Sequence, residues 1–75
     1  MKKTWVDDVR FFGGKIVAGS TSIGGVSFQH RSEWDSHRNC DKFVSSIASH
    51  AMKSTRVSLP EGKVVLYFSV FVNLK

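Results

Sequence analysis

From Lys63 to Lys75 the chain reads KVVLYFSVFVNLK, its longest apolar run, with no Gly or Pro. Val, Phe and Tyr favour a pleated strand over a helix. At a period of two, Val64, Leu66, Phe68, Val70, Val72 and Leu74 share one wholly apolar face. Lys63, Val65, Tyr67, Ser69, Phe71, Asn73 and Lys75 share the other, which is half apolar. The rest of the chain must cover the first face, and the second requires its own explanation.

The N-terminal part has the pattern of a meander. TWVDDVRFF is expected as a strand that turns at Gly13-Gly14 into KIVAGSTSI, and Gly24-Gly25 turns that strand into VSFQHR. Gly19 is expected to bulge or bend the middle strand. The first strand has no clean face: Trp5, Val9 and Phe11 fall with Asp7, while Val6 and Phe12 fall with Asp8 and Arg10. In the third, Val26, Phe28 and His30 oppose a polar side of Ser27, Gln29 and Arg31.

Ser32-Glu33-Trp34-Asp35 resembles a capping box, which predicts a helix from Ser32 to about Lys53. Its apolar stripe would hold His37, Cys40, Val44, Ile47, Ala48 and Ala51, flanked by Phe43 and Met52, with His50 in solvent. TRVSL would form a short strand, and Pro60-Glu61-Gly62 a tight turn into the final strand. The expected fold is therefore one α+β domain over residues 1–75: an antiparallel sheet of four to five strands, in β-β-β-α-β-β order, with a single amphipathic helix on one face.

With 75 residues the chain can bury only roughly 60% of its unfolded surface, so a deep enzyme cleft is difficult to build. One cysteine excludes an internal disulfide and a thiolate zinc cage. The start, MKKTWVDDVR, lacks the apolar stretch of a secretory signal, and the final run is shorter than the roughly 20 residues of a membrane helix. A cytoplasmic, complete small protein without membrane association is expected.

The chemistry-bearing residues do not assemble a recognisable catalyst. Asp7 and Asp8 are adjacent, so on a strand they point to opposite faces and cannot work as an acid and base pair. His37 and Cys40 are one helical turn apart, with His30 earlier in sequence, but on an apolar stripe they suit packing better than a metal site that would want four ligands. The glycine pairs lie between strands and open no phosphate-binding helix. The chain is expected to be no enzyme and to use no cofactor, metal or small-molecule substrate.

The net charge of +5 and the half-apolar second face of the last strand point instead to a macromolecular partner. The expected partner surface holds Val65, Tyr67 and Phe71 with Arg10, Arg31 and Lys63. If the last strand is bent, the meander could instead fold back over that face. The function expected is that of a small regulator or inhibitor. It would dock through the free sheet face or an edge strand onto an acidic protein patch or, as a homodimer, onto its own copy. Small basic proteins of this size are used by phages and mobile elements against host factors. The alternative is a nucleic-acid-binding protein, with Arg10, Arg31 and Lys63 on phosphates and the aromatic residues stacking on bases.

Overall fold

The computed structural model describes residues 5–17, 19–47 and 51–71, with their side chains except those of Ala51, Met52 and Phe71. The fold is α+β, as the pattern predicts. Helix α1 (Trp5–Phe11) is followed by strands β1 (Lys15–Val17), β2 (Thr21–Ile23), β3 (Val26–Phe28) and β4 (His30–Trp34). Helix α2 (His37–Ser46), β5 (Ala51–Ser58), a short 3-10 turn (Pro60–Gly62) and β6 (Val64–Phe71) complete the order. The main sheet is antiparallel, ordered β1-β4-β6-β5, and β2 with β3 makes a separate hairpin.

The first element is a helix where alternation predicts a strand. Trp5, Val9 and Phe12 are spaced at helical intervals; Val9 is fully buried in the core and the two aromatics pack against it. Asp7 and Asp8 lie in the first turn and Arg10 in the last, each favourable to the helix dipole. The unclean strand faces were the mark of a helical period.

Gly13-Gly14 therefore ends a helix and is not a hairpin turn. The Gly13 amide donates to the Arg10 carbonyl at 3.1 Å and the Gly14 amide to the Val9 carbonyl at 2.8 Å, the paired bonds of a Schellman cap. Gly13 has φ +89°, and a Cβ on Gly14 would lie 2.6 Å from the Trp34 indole. Gly24-Gly25 does form the expected two-residue hairpin turn, with φ +58° and +81° between Ile23 and Val26.

KIVAGSTSI is split: β1 joins the main sheet and β2 the hairpin, with Gly19 at φ +106° between them. The expected cap at Ser32 is also displaced. Ser32 is a buried residue of β4, where its hydroxyl donates to the Leu66 carbonyl and accepts from Trp34 Nε1 at 2.8 Å. The cap is Ser36, whose hydroxyl accepts from the Asn39 amide at 3.2 Å. At its other end α2 stops at Ser46; Ala51–Lys53 is strand rather than helix, and the expected strand at Thr55 begins earlier, as part of β5. All eight residues of β5 pair with β6, which supplies the hydrogen bonds that β6 would otherwise lack on that side.

The even-numbered face of β6 is the core, as expected. Val64, Leu66 and Phe68 are fully buried under Cys40 and Phe43 of α2, Ile47 at its C-cap and Val9 of α1. Phe43 stacks on Trp34 with centroids 5.3 Å apart and meets Phe68 edge-on at 5.5 Å. Trp5 meets Phe68 edge-on at 5.3 Å. Val72, Leu74, Asn73 and Lys75 of the last run, and Ala48 and His50 after α2, lie outside the described residues.

Candidate functional site

The odd-numbered face of β6 is not a free surface along its length. At one end the β2-β3 hairpin folds over it. Phe28 is 4% exposed, the Gln29 amide donates to Ser69 Oγ at 3.0 Å, and the Lys53 ammonium lies 5.5 Å from the centre of the Phe28 ring. The β2-β3 hairpin alone, rather than the expected three-strand meander, covers this end.

Further along, Arg31, Tyr67, Thr55 and Val17 occupy one cross-strand row, and Glu33, Val65, Val57 and Lys15 the next. The Arg31 guanidinium lies 5.9 Å from the Tyr67 ring centre, and its Nη2 is 3.8 Å from Glu33 Oε2. Val65 is 4% exposed and Tyr67 is half-buried. Phe71 is opposite Ala51 in the ladder, and its side chain lies outside the described residues.

Three of the residues expected to meet a partner, Val65, Tyr67 and Arg31, are thus brought together on one face. Lys63 is exposed beside the Pro60–Gly62 turn, in a groove of about 340 Å3 shared with Lys15, Glu33, Asp35 and Leu59. Two lysines there face two carboxylates, so the groove has no strong preference for anions. Arg10 is elsewhere: it is exposed on α1, which packs against the opposite face of the sheet. Arg10, Arg31 and Lys63 do not converge on a single cationic surface.

His37 and Cys40 part company on α2. Cys40 is fully buried, and burial foremost pushes its thiol above its ordinary pKa, against a smaller opposing effect of Arg56. His37 is exposed at the start of the helix, off the buried stripe, with Nε2 3.5 Å from Ser58 Oγ. His30 belongs to the other end of the sheet, against Trp5 at 4.5 Å and opposite Phe68. Among the described residues no group of three or more His, Cys, Asp or Glu is placed to hold a metal ion. Among them, too, no helix is long and apolar enough to cross a membrane.

The most accessible backbone edge is that of β5. It is an edge strand of eight residues, and among the described residues no strand pairs with its outer side. Lys53, Ser54, Arg56, Val57 and Ser58 are all exposed. In an antiparallel ladder, successive residues turn both backbone groups alternately toward and away from the partner. The Leu59 amide donates to the Lys63 carbonyl at 2.8 Å, in register with Ser58 opposite Val64. Lys53, Thr55 and Val57 therefore spend their backbone groups on β6. Ser54, Arg56 and Ser58 direct theirs outward.

Each face of this edge carries one basic side chain. Lys53 sides with the hairpin face, and Arg56 sides with the helices, where it is ion-paired with Asp41 of α2. The opposite edge strand, β1, has only three residues. A shallow groove of about 600 Å3 also runs between Phe12 and the outer side of α2, lined by Arg38, Lys42 and Ser45. TRVSL signalled this strand in the sequence, but its first residues were hidden because the apolar stripe of α2 continues at helical spacing into Ala51.

No protein-family model matches this sequence, and no curated protein or solved structure is significantly similar to it.

Proposed function

We propose that this chain is a small non-enzymatic binding protein, a regulator or inhibitor, that docks an acidic segment of another protein along the outer edge of β5. The observation that carries this is the eight-residue edge strand, whose outward backbone groups belong to the exposed Ser54, Arg56 and Ser58. An unpaired edge of this length is a template for an added strand. Its cations and the chain's net charge of +5 select acidic partners. The docking role assigned to the odd face of β6 narrows accordingly, because the hairpin covers one end and Val65 is buried.

The test is capture from a nuclease-treated lysate of the source cells, with the wild-type chain and with Ser54→Pro as baits. Proline at position 54 removes one outward donor and leaves the β5–β6 bonds in place. A protein held by wild type and lost by Ser54→Pro supports the function. Equal capture by both baits counts against it. So does tight oligonucleotide binding that falls steeply with salt and is weakened by Arg31→Ala and Lys63→Ala, which would favour nucleic acid.

A further inference from the structure

We propose that β5 recognises an extended acidic segment by the spacing of its carboxylates, two acidic residues three positions apart. This rests on the edge-docking function above and gives it a sequence code.

A strand added to the outer edge places one residue opposite each residue of β5, with its side chain on the same face as the one it opposes. Lys53 and Arg56 are three positions apart and so lie on opposite faces. The Lys53 ammonium is above the Phe28 ring on the hairpin side. Arg56 lies on the helix side, ion-paired with Asp41, and its side chain is about a third exposed, at 32%, so a ligand carboxylate there shares the guanidinium with Asp41. Two ligand carboxylates three apart meet both cations at once. Two carboxylates at any even spacing share a face and meet only one. Val57 is 40% exposed on the Lys53 face, so the ligand residue next to the carboxylate over Arg56 can be apolar. That favours a peptide over a uniform polyanion.

A second copy of this chain fits the edge less well. Two β5 edges aligned with each other would bring two Lys53 and two Arg56 to one seam, with only the two Asp41 carboxylates among them, between chains of +5 each.

The experiment measures binding of fluorescent octapeptides of Thr, Val and Ser to the full chain. One peptide carries Glu-x-x-Glu, one Glu-x-Glu and one Gln-x-x-Gln. The Glu-x-x-Glu peptide is expected to bind about three- to five-fold tighter than Glu-x-Glu, the worth of one partly exposed ion pair. Lys53→Gln, an exposed change that leaves the ladder intact, should bring the two peptides to parity. Equal affinity for both acidic peptides, with binding lost in Ser54→Pro, overturns the spacing code and leaves edge docking standing. Failure of all three to bind overturns both. A concentration-dependent dimer that Ser54→Pro dissociates shows that the edge is filled by a second copy, and also overturns the proposal.

Discussion

The Leu59 amide donates to the Lys63 carbonyl at 2.8 Å, and this one bond sets the phase of the whole β5–β6 ladder. It decides that Thr55 spends its amide on the sheet and Ser54 does not. Proline distinguishes the two neighbours. Thr55→Pro removes a ladder bond opposite Tyr67 and should destabilise the fold by about 1–3 kcal/mol, the cost of the carbonyl left unpaired. Ser54→Pro should cost about 1 kcal/mol or less. Urea unfolding of the two variants checks this, and a larger loss for Ser54→Pro would reverse the assigned phase.

Gly14 carries a second prediction. A methyl group there would lie 2.6 Å from the Trp34 ring, which is itself clamped by Phe43 and by the bond from Nε1 to Ser32. Gly14→Ala should therefore cost about 1–3 kcal/mol, as overpacking does elsewhere. Gly25→Ala would meet no atom within 4 Å and pays only for its φ of +81°. Thermal melts of the two variants separate a packing glycine from a turn glycine.

His30 ties stability to pH. Burial against Trp5 and Phe68 holds its folded pKa below the ordinary 6.5. The unfolded chain then takes up the proton first as pH falls. The stabilisation associated with neutral His30 is full above pH 6.5 and declines as pH drops through that value toward the lower folded pKa. The denaturation midpoint should fall between pH 7.5 and 5.5, and His30→Phe should flatten that part of the profile. An unchanged slope in the variant would remove His30 as its source.

Cys40 should behave as a buried apolar side chain. It is fully buried among Phe43, Trp34 and the β6 core, and burial raises its thiol pKa. Alkylation by iodoacetamide at pH 8 should be slow in the folded chain and rapid in denaturant. Fast labelling without denaturant would show that the helix opens readily.

The residues explain which parts of the fold could be foreseen. The α+β class, the Gly24-Gly25 hairpin, the Pro60–Gly62 turn and the buried even face of β6 follow from local pattern, whereas the same glycine pair at Gly13-Gly14 caps a helix. The N-terminal helix was obscured because WVDDVRFF has valine and aromatics at both periods, and only packing of Val9 into the core decides between them. Ser32 and Ser36 both offer a capping hydroxyl in sequence; the Ser32 hydroxyl is claimed by the Leu66 carbonyl across the sheet and by Trp34 Nε1 two residues on in β4. Of the expected partner residues, Arg31, Val65 and Tyr67 share a face because strand register is local. Arg10 departs because a helix carried it to the other side of the sheet.

The most direct measurement is amide hydrogen exchange along β5, by NMR, with and without the Glu-x-x-Glu peptide. In the free chain, the Lys53, Thr55 and Val57 amides should exchange slowly and those of Ser54, Arg56 and Ser58 quickly, in strict alternation. Saturating peptide should slow exchange at Ser54, Arg56 and Ser58 and leave the other three little changed. Edge amides that remain fast in the complex, with protection appearing instead around Arg31 and Tyr67, would contradict docking on the edge of β5.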